Sequence, residues 1–340
     1  MADSAPASFE EIRAVLRAFP EPDTDARAAA AARDARLTKP AGALGRLEDL
    51  VQWLAAWQGR HPPRIERPFT AVFVGNHGIA ARGVSAYPAE VTKQMLQNFI
   101  DGGAAVNQLC DVADSDLRVY ELALDEPTRD FSAEPAMSEE DCARAVAYGM
   151  MAVEPGIDLL ALGEMGIGNT TSAAALCHAL YGGSASEWVG RGTGIDDARL
   201  ANKTALIAAA VEKHRSLMTE PLEVLRCLGG FELAAILGAS LAARVPQAPL
   251  WVNRAACRAA ASIVHAIDAS ALGHCVVAHV SVEPGHRRLL ARLGKQPLFD
   301  LGLRLGEASG AVLAIPLLKA ACACHAGMAT FDEAGVSGPG

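Results

Sequence analysis

The chain is expected to fold as an α/β protein, with a parallel sheet covered by helices on both faces. Three observations predict this. Short apolar runs that end in or near glycine recur along the sequence. Segments with helical spacing of apolar residues lie between them. Hydrophobic residues make up 51% of the chain but aromatics only 5%, so alanine and leucine must supply a core of close-packed helices. Strands alternating with helices are the signature of a parallel sheet, and such sheets bind ligands outside the carboxyl ends of their strands.

The elements follow in order. Ser8-Phe9-Glu10-Glu11 has the form of a capping box and should open a short helix to about Phe19. Asp23 to Leu37 reads as an alanine-rich second helix, broken by Lys39-Pro40-Ala41-Gly42. Leu44, Leu47, Leu50, Val51, Leu54 and Trp57 recur at helical spacing, and His61-Pro62-Pro63 ends that helix. Strands are expected at Phe69 to Gly75, Leu117 to Leu124, Ile157 to Gly163, Pro249 to Asn253 and Cys275 to Val280. Helices are expected at Glu90 to Ile100, Ser138 to Val153, Thr170 to Leu180, Ala198 to Met218, Glu232 to Ala243 and Ala255 to Ile267. A last helix, Ala308 to Ala326, can return onto the N-terminal helices. That predicts a small helical domain from residues 1–64 and 311–340, beside a large α/β domain of residues 65–310.

The bulk numbers exclude several classes. The net charge is −9 and no basic face is visible, which argues against a nucleic-acid binder. The start, Met1 to Glu11, lacks a basic region followed by an apolar stretch, so no secretory leader is expected. The nearest approach to a bilayer-spanning run, Ala311 to Ala323, is interrupted by Pro316 and Lys319, so no membrane span is expected. Most of the eight cysteines sit singly in apolar runs, as reduced thiols of a cytoplasmic protein do. Cys322-Ala323-Cys324-His325 lacks a second ligand pair at zinc spacing, so no metal is expected.

Six segments hold residues capable of chemistry. Gly163-Glu164-Met165-Gly166-Ile167-Gly168-Asn169-Thr170-Thr171 follows a strand and opens a helix. Gly166 and Gly168 allow close backbone approach, and a helix N-terminus with Asn169, Thr170 and Thr171 suits a phosphate. The plainer reading is a well-capped tight turn. Gly190 to Asp197 brings Arg191, and Lys203 follows one turn into the next helix, as local cations for an anion. Gly83-Val84-Ser85-Ala86-Tyr87-Pro88, ahead of a helix carrying Gln94, mixes apolar and hydroxyl groups as a pocket for a flat ring would. His77, in Gly75-Asn76-His77-Gly78, reads better as a structural hydrogen-bonding residue than as an acid or base. Leu305-Gly306-Glu307 echoes Leu162-Gly163-Glu164, so two carboxylates can face one cleft. An apolar setting would make Glu307 a useful base. The sixth, Ser281 to Arg287, reads as a strand-to-helix turn with Pro284 at the helix start.

Taken in order, these motifs resemble one family. Lys39-Pro40-x-Gly42-x-Leu44-Gly45-Arg46-Leu47-Glu48, His77-Gly78, Gly83 to Thr92, Gly163 to Thr171, Gly190 to Asp197, Ser281 to His286 and Leu301 to Glu307 are similar to those of the nicotinate-nucleotide:dimethylbenzimidazole phosphoribosyltransferases. The resemblance runs from about Lys39 to Pro316. It implies a Rossmann-like large domain, a small helical domain, a homodimer and no cofactor. It implies transfer of 5-phosphoribosyl from nicotinate mononucleotide to 5,6-dimethylbenzimidazole, a step in cobalamin biosynthesis. It implies Glu307 as general base and Glu164 near the ribose. The phosphate would lie on Gly166, Gly168, Asn169, Thr170, Thr171 and Lys203, with Arg191 as an added cation, and the base beside Ser85, Tyr87 and Gln94.

The chain departs from the family pattern twice. Asn76-His77-Gly78 stands where the family usually has Asp-His-Gly. Asn253-Arg254-Ala255 stands where it usually has an Asp-Gly-aromatic sequence. Two rivals therefore stay open: a related transferase with another donor or acceptor base, and a non-catalytic nucleotide-binding homologue. A dinucleotide-dependent dehydrogenase is disfavoured, because the glycine fingerprint is missing.

Overall fold

A computed structural model describes residues 8–244, 250–252 and 255–338. Six strands form one sheet: β1 (Pro68–Gly75), β2 (Asp116–Leu122), β3 (Leu159–Met165), β4 (Leu250–Val252), β5 (Cys275–His279) and β6 (Pro297–Phe299). All neighbours pair in parallel, in the order β2-β1-β3-β4-β5-β6. The helices are α1 (Phe9–Arg17), α2 (Thr24–Asp34), α3 (Arg46–Gln58), α4 (Glu90–Ile100), α5 (Ala105–Ala113), α6 (Glu139–Met151) and α7 (Asn169–Tyr181). They continue with α8 (Asp197–His214), α9 (Pro221–Leu228), α10 (Phe231–Arg244), α11 (Ala255–Ile267), α12 (Pro284–Arg292), α13 (Ser309–Gly327) and α14 (Phe331–Ala334).

The two faces of the sheet follow from the two-residue side-chain period of a strand. Phe69, Ala71 and Phe73 of β1, with Leu160 and Leu162 of β3, enter a core shared with α6, α7, α9, α10 and α11. Val72 and Val74, with Leu159 and Ala161, enter the opposite core with α3, α4, α5 and α13. Both strands are therefore buried on both sides, which is why they read as unbroken apolar runs. β2 lies at the edge; its residues are exposed or half-buried until Leu122, which is buried.

Helices α6 and α10 approach so closely that glycine is required at their crossing. A Cβ on Gly238 would lie 1.9 Å from Val146 O, and one on Gly149 only 1.8 Å from Ala235 O. Such backbone-to-backbone contact removes the freedom to adjust.

The chain ends meet. Arg33 of α2 donates from Nε to His325 O (2.8 Å) and from Nη2 to Ala326 O (3.0 Å) and Met328 O (3.1 Å), satisfying carbonyls at the end of α13. Lys39 donates to Asp34 (3.0 Å) and Glu48 (2.8 Å), and Glu48 also accepts from Leu44 N (2.9 Å). The Lys39-to-Glu48 motif is thus a structural knot joining α2 to α3. Cys322 is buried, and desolvation pushes its thiol up to about 12. Beside it, burial, with the charges of His61 and Arg33, pulls His325 down to about 4.

The structure adds to and changes what the sequence led us to expect. α13 runs unbroken as expected, but by length and composition it is apolar enough to cross a membrane, which the sequence reading did not expect. Pro316 sits on its exposed side, where the missing N–H and the ring leave the packed side undisturbed. The other face buries Ala311, Val312, Ala314, Ile315 and Leu318 against the sheet, as a core helix does. β6, α5 and α9 were not anticipated, being too short to show a clear period. Asn253 and Arg254 lie outside the described residues.

Alanine is favoured over glycine inside a helix by about 1 kcal/mol. At Gly238 the overpacking cost, roughly 1–3 kcal/mol, should outweigh that gain. Gly238→Ala is therefore expected to lower the urea midpoint. An unchanged or higher midpoint would mean that α6 and α10 separate freely.

Candidate active site

The strand order reverses between β1 and β3. Chain segments leaving their carboxyl ends diverge, and a crevice must open there. A cavity of about 590 Å³ occupies that place. Its floor is the end of β3 (Glu164, Met165, Gly166, Ile167) and the first turn of α7 (Asn169, Thr170). Its walls are Tyr87, Val91 and Met95, then Gly192 and Thr193, then Arg304, Leu305, Gly306 and Glu307.

The two Leu-Gly-Glu segments meet here. Glu307 N donates to Glu164 O (3.1 Å), so the segment before α13 docks on the end of β3. A Cβ on Gly163 would lie 2.2 Å from Ala308 N, so only glycine permits this contact. Glu307 and Ala308 both adopt positive φ, 64° and 62°, a conformation that side chains other than glycine rarely take. Both carboxylates line the cavity while 2% (Glu164) and 5% (Glu307) exposed, so they are desolvated yet reachable. Asn169 Nδ2 donates to Glu164 Oε2 and fixes that side chain.

Glycine also shapes the entry to α7. A Cβ on Gly166 would lie 2.3 Å from Gly75 O, so β1 and β3 could not come together at their ends. Gly168, at φ 101°, is the N-cap. Lys203 is buried behind this turn and donates to Thr170 Oγ1 (2.9 Å) and Gly190 O (3.3 Å). Gly192 keeps the wall thin there, since its Cβ would sit 2.7 Å from Thr170 Oγ1 and 3.5 Å from Lys203 Nζ. The result is a positive patch of buried ammonium, helix N-terminus and hydroxyl.

Not every expected residue reaches the cavity. Thr171 is fully buried inside α7 and is not on the wall. Arg191 turns back on its own loop, donating to Ile195 O (2.9 Å) and pairing with Asp197. Ser85 acts through Thr193: their hydroxyls are 3.1 Å apart, and Thr193 Oγ1 also accepts from Ala86 N (2.9 Å). Tyr87 lines the cavity, but Gln94 is exposed and borders a neighbouring hollow with Asn76, Lys93 and Asp125. α4 presents Val91 and Met95 to the cavity instead, one turn apart on its apolar side. Asn76 donates to Leu124 O (2.9 Å) and is not among the wall residues.

His77 is structural. Its Nε2 lies 2.7 Å from Glu232 Oε1 and its Nδ1 3.1 Å from Ser172 Oγ, and the pair is buried beneath the Gly166-to-Gly168 turn. Sequence reasoning missed Glu232, Thr193, Arg304 and Glu283, whose Oε1 accepts from Gly192 N (3.1 Å). Among the described residues no cluster of three or more His, Cys, Asp or Glu side chains is placed to hold a metal.

Removing one member of a buried hydrogen-bonded pair costs about 1–3 kcal/mol. Glu232→Ala should therefore cost that order of stability, and His77→Ala in the same chain should add little more. A double-mutant cycle measures this, and additive losses would show that the two side chains do not act together.

The chain is similar to known proteins over nearly its whole length. A family model described as phosphoribosyltransferase matches residues 19–336. The nicotinate-nucleotide–dimethylbenzimidazole phosphoribosyltransferase of Agrobacterium fabrum is 55% identical over 328 residues, covering 96% of this chain and 95% of that protein. Its counterpart from Methylocella silvestris is 54% identical, covering 99% of this chain and 98% of the relative. The crystal structure of CobT from Thermus thermophilus superposes with a TM-score of 0.86 at 41% identity, covering 93% of this chain and all of that one. With identity at this level across nearly its whole length, the chain belongs to the nicotinate-nucleotide–dimethylbenzimidazole phosphoribosyltransferase family.

Proposed function

We propose that this protein moves 5-phosphoribosyl from nicotinate mononucleotide to 5,6-dimethylbenzimidazole, releasing nicotinate and α-ribazole 5'-phosphate for cobalamin biosynthesis. The observation that carries the reading is the pairing of Glu164 and Glu307 on one cavity wall, facing a patch built from Lys203 and the first turn of α7. A cavity with a phosphate anchor and two buried carboxylates fits a reaction that needs a held ribose phosphate and a proton acceptor.

The chemistry follows from the donor. Its pyridine nitrogen is cationic while bonded to ribose and leaves with the bonding pair as a neutral ring, so the leaving group needs no activation. A benzimidazole nitrogen attacks the anomeric carbon from the opposite face, and β becomes α. The new bond makes the other ring N–H acidic, and Glu307 takes that proton. Glu164, on the same cavity wall, offers a negative charge to the positive charge that develops on the ribose. Tyr87, Val91 and Met95 offer apolar surface to the flat acceptor. Holding the two substrates together supplies much of the remaining barrier reduction. Homodimer assembly, a cytoplasmic location, and a small helical unit of residues 1–64 and 311–340 on a catalytic body of residues 65–310 belong to the same proposal.

Glu307→Gln keeps the shape but cannot accept a proton. It should bind both substrates with affinities near those of the parent chain, while kcat falls by roughly 10²–10⁴. Nicotinate release dependent on added dimethylbenzimidazole is the assay. Near-normal turnover of the variant would remove Glu307 from the role of base.

A further inference from the structure

The donor carries two anionic groups, a phosphate and the nicotinate carboxylate, whereas the acceptor carries none. Each anion must enter a cavity whose wall already holds two carboxylates, so each needs its own counter-charge. Lys203 and the first turn of α7 serve one of them. Arg304 is the only cationic side chain among the described residues of the wall.

Resting on the transferase reading, we propose that Arg304 pairs with the nicotinate carboxylate and so selects nicotinate mononucleotide over nicotinamide mononucleotide. The neighbouring arginines are committed elsewhere. Arg191 pairs with Asp197, Arg287 with Asp300, and Arg199 donates to Ser85 O. Arg304 makes no hydrogen bond or ion pair among the described residues and is exposed at the cavity edge. Its backbone is nevertheless held close on both sides: Val282 N donates to Leu303 O (3.4 Å), and Glu307 N to Glu164 O (3.1 Å). A fixed stem with an uncommitted guanidinium suits recognition.

The chemistry of the two donors differs at one group. A carboxylate offers two acceptor oxygens to the parallel N–H groups of a guanidinium. A carboxamide offers one acceptor and sets its own N–H donors against the rest of the fork. Losing a hydrogen bond to a charged group costs on the order of tenfold or more in affinity. The benzimidazole, which has no anionic group, gains nothing from the residue.

The test uses the full chain and its Arg304→Gln and Arg304→Lys variants. Dissociation constants are measured for nicotinate mononucleotide, nicotinamide mononucleotide and nicotinate riboside, which lacks the phosphate, alongside base-dependent turnover. The proposal expects Arg304→Gln to weaken both nicotinate compounds by roughly 10-fold or more and to leave the amide nearly unchanged. Arg304→Lys should fall between, since it keeps the charge but loses the fork. Equal losses for the carboxylate and amide mononucleotides, with no loss for the riboside, would place Arg304 on the phosphate and overturn the proposal. So would a ratio of affinities for the two mononucleotides that is the same in Arg304→Gln as in a wild-type chain that turns over. A wild type that releases no nicotinate with dimethylbenzimidazole would instead fail the transferase reading itself, and the assignment with it. Thermal melting of each variant identifies any loss due to misfolding, in which case Arg304→Lys and its donor ratio decide.

Discussion

The site depends on one contact: the backbone of Glu307 and Ala308 resting on Gly163, tied by the hydrogen bond from Glu307 N to Glu164 O. These segments are far apart in sequence. β3 is a central strand, while Glu307 immediately precedes the last long helix. Two residues at positive φ cost on the order of 1–3 kcal/mol each, and a buried carboxylate costs more unless it is hydrogen-bonded. Neither would persist locally. The packing of α13 along the sheet, through Val312, Ile315 and Leu318, fixes the helix and hence the strained turn that leads into it. Core burial in one element thus sets the geometry of a carboxylate in another.

A second layer supports the first. Gly166 lets the end of β3 lie against the end of β1, Gly168 lets the start of α7 lie against His77, and Gly75 leaves room for Glu232. The space beneath them is filled by His77, held between Glu232 and Ser172. Phosphate-sized ligands need backbone amides presented without obstruction, and such a turn has few apolar contacts of its own. A buried polar pair stiffens it through directional bonds where side-chain packing is unavailable. On the far wall, Thr193 and Glu283 do the same for the Gly190-to-Gly194 loop.

Much of this was legible in the sequence because it rests on local rules. Strands buried on both faces announce themselves as unbroken apolar runs, and β1 and β3 did. The Ser8 capping box appears as read, and the repeated Leu-Gly-Glu anticipated that two carboxylates share a cleft. What failed required knowledge of phase or of a partner. Gln94 lies on the polar side of α4 with Glu90, Lys93 and Gln97, and only the sheet decides that Val91 and Met95 turn toward the cavity. Pro316 interrupts the apolar run in sequence, but it faces the exposed side of α13 and so weakens neither the helix nor its apolar face. Glu232 and Thr193 carry no local signal, for their meaning lies entirely in His77 and Ser85.

The fate of the two cations near α7 shows how burial sorts charges. Arg191 and Lys203 looked equivalent in sequence, each close to a glycine-rich loop. Arg191 is exposed and already paired with Asp197, so solvent and its partner both screen its field. Lys203 is almost wholly removed from water, and its bonds to Thr170 and Gly190 leave its charge directed at the first turn of α7. A unit charge acts several-fold more strongly at low effective dielectric than at the surface. A chain of net charge −9 can therefore attract an anion without a basic face, provided one ammonium is buried where the helix dipole adds to it. The cost of burying that ammonium is met by the hydroxyl and carbonyl that hold it, and a bound phosphate would lower it further. The same logic explains why an exposed arginine at the cavity edge suits discrimination better than anchoring. Its field is weak at a distance, but its hydrogen-bonding fork acts on contact.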